Sequence, residues 1–125
     1  MLHELSVFLE ENRVEDTVSY AVQLSVEELL LNIMKHGYRG DTQRLITMSL
    51  DVEPAEAVIH IEDDGDPFDP STAPGPDFDE ILHGQKVGGL GIHLVRSLAA
   101  SFDYARVGNR NQVRVRILPL SGSKS

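Results

Sequence analysis

The chain has 125 residues and a formal net charge of −9, with 41% hydrophobic and 25% charged residues. This length suits one compact domain with its own core, and the composition is typical of a globular chain rather than a disordered one. It contains no cysteine, which excludes disulfides, thiolate metal ligands and thiol nucleophiles. No apolar run reaches the roughly 18 residues of a membrane span and no charged-then-apolar leader begins the chain, so we expect a cytoplasmic protein without membrane contact.

The charges are divided unevenly along the chain. Residues 1–85 hold 4 Lys and Arg against 19 Asp and Glu, a charge of −15, whereas residues 86–125 hold 7 against 1, a charge of +6. An acidic body lacks the basic surface that non-specific nucleic-acid binding requires, so direct binding to nucleic acid is not expected. The basic C-terminal third leaves room for a small ligand that carries phosphate.

Apolar residues at helical spacing predict two helices at the start of the chain. The first begins near Leu2 and ends near residue 13. The second is longer, with Asp16 or Thr17 as its N-cap, and runs to about His36, just before a glycine.

Strands with alternating apolar residues follow, over 45–52 and 57–62, and the turn between them predicts a hairpin. The segment from Gly65 to Gly88 holds most of the prolines and many acids, so it is predicted to be a long loop, with a lid over about residues 68–88. Long loops without structure of their own are usually functional.

A third helix is predicted after Gly91, with an apolar face that extends from Leu94 to Phe102. Two further strands, over 104–107 and 113–118, enclose a turn at Gly108-Asn109-Arg110-Asn111. The order helix, helix, hairpin, lid, helix, hairpin predicts an α+β fold. We expect a two-layer α/β sandwich with its helices on one face of a mostly antiparallel sheet. It would form a single domain over residues 1–120, followed by a flexible tail at 121–125.

Two polar residues lie within the apolar arc of the second helix. Glu28 and Asn32 are an i,i+4 pair and fall beside Ala21 and Leu24, whereas the neighbouring Glu27 points away. One interpretation is a polar pair on the flank of the helix that reaches solvent. The other is a site at the boundary between helix and sheet, with a carboxylate that can act as a base and an amide oxygen that can bind a hard cation.

Asp63 continues the inward series of Ala57, Ile59 and Ile61, so its carboxylate should face the core. A buried carboxylate needs hydrogen-bond donors. The backbone amides of the following turn can supply them, or the amino group of a flat heterocycle can. Both alternatives are consistent with the sequence.

The segment Gly88-Gly89-Leu90-Gly91 stands directly before the third helix. Such glycines let backbone N–H groups approach a phosphate chain at a helix N-terminus, although glycine clusters also serve as hinges. The five histidines show no metal-ligand spacing and suit ordinary surface or packing roles, and only His36 stays of interest because of its position.

Taken together, these segments resemble the GHKL family of ATP-binding proteins, which includes gyrase, the ninety-kilodalton heat-shock chaperone, histidine kinases and MutL. The run Glu28-Leu-Leu-Leu-Asn32-Ile-Met-Lys35-His36-Gly-Tyr resembles its asparagine box. The run Asp63-Asp-Gly65-Asp-Pro67-Phe-Asp-Pro resembles its first glycine box and Gly89-Leu-Gly91-Ile92-His-Leu-Val its second. The match covers about residues 17–117 and is most similar to the anti-sigma-factor serine kinase branch.

The resemblance implies a Bergerat-type fold with ATP and Mg²⁺ between helices and sheet. Asp63 would accept the adenine amino group and Asn32 would coordinate the magnesium ion. Glu28 would be the general base for a protein serine hydroxyl. The resemblance also implies a set of further nucleotide-binding residues: Lys35, His36, Gly65, Pro67, Lys86, Gly88, Gly89, Leu90, Gly91 and Ile92.

The resemblance implies protein partners as well. Members of this branch bind a sigma factor, phosphorylate a serine on a small anti-sigma antagonist and commonly form homodimers. Leu30 and Met34, placed on the solvent side of the second helix, could serve a protein contact or be ordinary surface residues. The alternative function is a non-catalytic ATP-binding module that sequesters a partner without phosphorylating it.

Two departures from the family pattern bear on this choice. The family usually has a strand before its first helix, whereas this sequence begins within that helix. The branch often carries an arginine just ahead of the lid glycines that meets the terminal phosphate. Here Val87 holds that place, next to Lys86, which favours the non-catalytic alternative.

Overall fold

The computed structural model of the protein describes residues 2–34, 46–70 and 90–119. Within these ranges the order of elements is helix, helix, hairpin, helix, hairpin, as predicted. The helices and strands are α1 (Leu2–Glu11), α2 (Asp16–Asn32), β1 (Ile46–Glu53), β2 (Glu56–Asp63), α3 (Leu90–Leu98), β3 (Ser101–Val107) and β4 (Arg110–Ile117).

The four strands form one sheet in the order β1-β2-β4-β3, and all neighbouring strands are antiparallel. The strands alternate between the two faces of the sheet, so that one face is apolar and packs against the helices while the other is polar. This architecture confirms the predicted α+β two-layer sandwich.

Helix α2 lies at the centre of the helical layer and packs against α1, α3, β2 and β4. Its predicted inner face is buried, including Val18, Val22 and Leu29, and meets inward residues of the sheet such as Ile59 and Val115. Burial of such a side chain stabilises the fold by about 1.5–3 kcal/mol relative to exposure. The core therefore fixes the face of α2 that meets the sheet.

The N-terminus of α2 differs from the prediction. The cap is Glu15 rather than Asp16 or Thr17, because the longer Glu15 side chain reaches back over the first turn and accepts hydrogen bonds from the backbone N–H groups of Thr17 and Val18. The N–H of Glu15 itself donates to the carbonyl of Pro54 at 2.8 Å. This bond ties the start of α2 to the β1–β2 turn.

The C-terminal third also differs in its boundaries. Helix α3 begins at Leu90 and ends at Leu98, so that Phe102 belongs to β3, and Leu94 is 43% exposed rather than on the inner face. The predicted four-residue turn contracts to Gly108 and Asn109, with Gly108 at φ 60°. Arg110 and Asn111 belong to β4, because pairing with β2 and β3 extends the ladder past them.

The predicted solvent side of α2 is only partly correct. Met34 is 42% exposed as expected, whereas Leu30 is half-buried against the core and Leu31 is the exposed leucine instead. Of the predicted lid, residues 71–88 lie outside the described residues, as do the end of the second helix after Met34 and the tail. In the part of the chain that is described, no helix has both the length and the apolar character needed to cross a membrane.

Candidate functional site

Asp63 lies at the end of β2 and its side chain points toward the helical layer, where it is 4% exposed. Its Oδ1 atom accepts hydrogen bonds from the backbone N–H of Gly65 at 2.8 Å and from Asn111 Nδ2 at 3.1 Å. Its Oδ2 atom accepts no hydrogen bond from any described residue. The turn thus satisfies one carboxylate oxygen, as one interpretation expected, and leaves the other as an acceptor for a ligand.

Asn111 is a site residue that the sequence analysis missed. It stands opposite Asp63 in the β2–β4 register, and antiparallel partners place their side chains side by side on one face. Its Oδ1 atom accepts a hydrogen bond from Tyr104 Oη at 2.5 Å, which turns Nδ2 toward Asp63. The same Nδ2 donates to the carbonyl of Asp66 at 2.9 Å. The signal was present, since Asn111 is in phase with the inward residues Val113 and Val115.

Arg106, like Asn111, holds the turn after β2 by a hydrogen bond. Its guanidinium donates from NH1 to the carbonyl of Gly65 at 2.8 Å, across from β3. Gly65 is buried, and its N–H and carbonyl are both engaged, whereas the neighbouring Pro67 is exposed. The start of this segment is therefore held by hydrogen bonds from β3 and β4.

A small cavity of about 20 Å³ lies between α2 and the sheet, beside this network. Asn32 and Asp63, which the sequence analysis singled out separately, both line it, together with Asn111. Phe68 and Pro70 of the loop after β2 form part of its wall. A volume of this size holds about one water molecule, so a flat heterocycle enters only if the loop residues move outward.

Glu28 lies one helical turn before Asn32 and is half-buried. Its carboxylate packs against Gly91 in the first turn of α3, at the position that a Cβ atom would occupy there. Within the described parts of the chain, no hydrogen bond or ion pair holds the Glu28 side chain. The structure therefore brings together one residue of the asparagine box and one of the second glycine box.

The remaining predicted residues divide into two groups. Leu90 starts α3, and Ile92 is 3% exposed with its side chain in the core, so only its backbone could face a nucleotide. The others lie outside the described residues: Lys35, His36, Lys86, Gly88 and Gly89.

The donor set at the cavity suits adenine and magnesium. Asp63 Oδ2 is an acceptor in a wall that is apolar apart from Asn32 and Asn111, which matches an exocyclic amino group. Mg²⁺ in phosphoryl-transfer sites takes one or two protein oxygens and fills its other positions with phosphate oxygens and water. The half-buried side-chain amide of Asn32, at the C-terminal end of α2, carries such an oxygen.

A larger concavity of about 560 Å³ lies on the opposite, open face of the sheet. It is shallow, with His60, Glu62 and Arg114 among its lining residues, and contains none of the candidate site residues predicted from the sequence. His60 Nε2 lies 3.8 Å from Asp51 Oδ2, and Arg114 NH1 lies 4.0 Å from Asp103 Oδ2. Glu62 Oε2 lies 3.5 Å from Arg110 NH1. These exposed pairs account for its charges, so size alone does not make it the candidate site.

Comparison with known proteins adds three findings. Residues 1–117 match the family of histidine kinase-like ATPase domains. The serine/threonine-protein kinase BtrW of Bordetella bronchiseptica is 29% identical over 87 residues, which span 70% of this chain and 61% of that protein. The histidine kinase AdeS of Acinetobacter baumannii superposes with a TM-score of 0.53 at 16% identity, over 96% of this chain and 64% of that structure. The similarity to AdeS concerns the fold alone. The matched regions cover less than two thirds of BtrW and of the AdeS structure.

Proposed function

Because the chain belongs to the histidine kinase-like ATPase family, we propose that it is a Mg-ATP-dependent serine/threonine protein kinase of the anti-sigma-factor type. Its substrate would be a small antagonist protein, and phosphorylation of that protein would regulate a sigma factor in the cytoplasm. The observation that carries the proposal is the shared cavity of Asp63 and Asn32, with Glu28 one helical turn away on α2. The similarity to BtrW, which is named as a serine/threonine kinase, supports the reaction type.

The binding half of the proposal rests on Asp63. Its carboxylate is held by Gly65 and Asn111 through Oδ1, so Oδ2 is oriented before any ligand arrives. An acceptor oriented in this way favours adenine over guanine, since adenine presents an amino donor where guanine presents a carbonyl oxygen. The structural alternative, in which the Asp63 carboxylate only accepts hydrogen bonds from its own turn, predicts no nucleotide selectivity.

The catalytic half rests on Glu28 and Asn32. Magnesium, when bound, neutralises charge on the phosphates, and the Asn32 amide oxygen would hold it at the end of α2. Glu28 would take the proton from the serine hydroxyl as that oxygen bonds to the γ-phosphorus. The bond from the γ-phosphorus to the bridging oxygen breaks, and ADP leaves with that electron pair. In such transfers positioning and electrostatic stabilisation supply most of the catalysis.

The proposal is tested with Glu28→Gln, which keeps the shape of the side chain and removes the base. The purified protein is incubated with labelled ATP, Mg²⁺ and antagonist proteins that carry a serine. We expect the parent to label a partner and Glu28→Gln to lose about 10²-fold or more in rate, with unchanged ATP affinity by calorimetry. Glu27→Gln is the matched control, because Glu27 is the adjacent, exposed acid on α2, and it should transfer phosphate normally.

The non-catalytic alternative predicts a different result in the same assay. Tight ATP binding with no labelling of any partner would indicate a module that sequesters its partner in a nucleotide-dependent way. Val87, at the place where the branch often has the lid arginine, favours this alternative. Equal transfer by Glu28→Gln and the parent would remove Glu28 as the base. Failure of ATP to bind, or undiminished binding by Asp63→Ala, would contradict both functions.

A further inference from the structure

We propose that Gly91 is a positioning residue for Glu28: its missing side chain is the space in which the Glu28 carboxylate sits. This inference rests on the proposed function, since it concerns how the proposed base is held. It gives this glycine of the second glycine box a role separate from contact between its backbone and phosphate.

The Glu28 carboxylate occupies the space beside the Gly91 Cα atom. A Cβ atom built on Gly91 would collide with the Oε1 and Cδ atoms of Glu28 and would lie 2.9 Å from Glu28 Cγ. Real Cβ atoms essentially never approach other atoms within 3.0 Å, so every other residue at this position displaces the carboxylate. The three atoms nearest to that Cβ all belong to Glu28, and none belongs to the sheet or the loop after β2.

The backbone conformation of Gly91 is open to other residues. Gly91 lies in the first turn of α3 and its φ is outside the left-handed region, in contrast to Gly108 at φ 60°. Any L residue adopts a helical backbone, and glycine is the least favourable choice for a helix apart from proline. The backbone at position 91 therefore does not require glycine, and the contact with Glu28 does.

The other surroundings of the Glu28 carboxylate also bear on its position. Among the described residues no donor or cation engages Glu28, so the packing against α3 restrains it. Because no described donor occupies the carboxylate, its lone pairs face no competing hydrogen bond from this part of the chain. Among the described residues, the contact between α2 and α3 is what positions it.

The test is a double-mutant cycle of Gly91→Ala and Glu28→Asp. The added methyl meets the far end of a flexible side chain, so Gly91→Ala should fold with a melting temperature equal to or above that of the parent. We expect kcat for transfer to the partner to fall about 10- to 100-fold while KM for ATP changes less than about 3-fold. Glu28→Asp withdraws the carboxylate by one methylene, so the double variant should be faster than Gly91→Ala alone.

Gly108→Ala is the control for loss of a glycine. Nothing lies within 4 Å of its Cβ position, but its φ of 60° strains any other residue, so it should lower stability and leave kcat unchanged. A rise in KM for ATP with constant kcat in Gly91→Ala would overturn the proposal in favour of phosphate approach. A double variant no faster than Gly91→Ala would also overturn it.

A structural readout separates this proposal from the proposed function. If the parent transfers no phosphate to any partner, the function fails, and the crystal structures of the parent and Gly91→Ala decide the positioning claim. A Glu28 carboxylate that has left its place against α3 supports the claim. A carboxylate that stays while α3 shifts overturns it.

Discussion

Asn111 Nδ2 donates a hydrogen bond to Oδ1 of Asp63 at 3.1 Å, between residues that are 48 positions apart in the chain. Both side chains are 4% exposed. The same amide group donates to the carbonyl of Asp66, and its oxygen accepts from Tyr104. One side chain on β4 thus orients the carboxylate on β2 and anchors the turn that follows it.

Replacement of Asn111 by Ala should weaken both the fold and the nucleotide site. It removes the hydrogen bonds that Asn111 makes with the Asp66 carbonyl and the Tyr104 hydroxyl, and it takes one donor from the buried Asp63 carboxylate. Such losses cost about 1–3 kcal/mol. ATP affinity should fall as well, because Asp63 is no longer held by β4. Chemical denaturation gives the stability, and calorimetry with Mg-ATP gives the affinity.

Gln112→Ala is the matched control for this prediction. Gln112 is the next residue on β4, but it is exposed on the open face and bonds Glu62 at 3.3 Å. It should change stability by less than about 0.5 kcal/mol and leave ATP affinity unchanged. Equal ATP affinity in Asn111→Ala and Gln112→Ala would disprove the orienting role of Asn111.

Ser25→Ala should stabilise the protein. Ser25 is fully buried on α2, and its hydroxyl has no hydrogen-bond partner among the described residues. An unpaired buried hydroxyl costs free energy and alanine is a better helix former, so a gain of about 1 kcal/mol is expected. Thermal unfolding measures it, with Ser19→Ala as control, since the Ser19 hydroxyl accepts from Gln23 Nε2 at 3.2 Å. A lower melting temperature for Ser25→Ala would indicate that the hydroxyl has a partner.

Stability should fall in acid through Glu15. The Glu15 carboxylate accepts a hydrogen bond from the Thr17 hydroxyl and two more from the backbone N–H groups of Thr17 and Val18. These bonds hold the pKa of the Glu15 carboxyl below its ordinary value. A lowered pKa means that the folded state favours the ionised form. The contribution is therefore complete above the ordinary carboxyl pKa and is lost as the pH falls through the lowered one.

The measurement is the melting temperature from about pH 7 to pH 3. Glu15→Gln should be less stable than the parent at neutral pH, and the two curves should converge in acid. Glu56, whose pKa is lowered by its hydrogen bond and charge pair with Arg116, contributes in the same direction and stays in both proteins. Parallel curves with a constant gap would show that ionisation of Glu15 is not what stabilises the cap.

Arg13→Gly should stabilise the end of α1. Arg13 has φ 56°, and its N–H donates to the Glu10 carbonyl while the N–H of Val14 donates to the Leu9 carbonyl. This is the Schellman arrangement, in which glycine is the preferred residue at the left-handed position. The variant relieves strain in the folded state but loses more backbone conformational entropy on folding. The free energy of unfolding should therefore rise by about 0.5 kcal/mol. Denaturant titration against Arg13→Ala, which keeps the strain, tests the prediction, and equal stability of the two variants would disprove it.

The sequence by itself determined the layers and their order. Local periodicity gives helices and strands, and it placed Asp63 inward because the inward series of β2 runs through Ile59 and Ile61. The same logic put Asn32 on the inner flank of α2. Local pattern failed where pairing decides the outcome. Residues 101–103 carry little strand signal and become strand beside β4, and residues 110–112 become strand beside β2 and β3.

Only the tertiary structure decided which residues meet. From the local sequence Asn111 is predicted to be a turn residue. Its position beside Asp63 comes from the pairing of β2 with β4, which joins residues 48 positions apart, and no local pattern encodes the register between distant strands. The sequence predicts Gly91 as a phosphate-contacting glycine but cannot show its contact with Glu28, which exists because α3 packs on α2. The acidic residues that dominate the charge of −9 include Glu28 and Asp63. Folding places Glu28 against Gly91, and it places Asp63 within hydrogen-bond distance of Gly65 and Asn111. Side chains far apart in the chain meet because packing removes their alternatives.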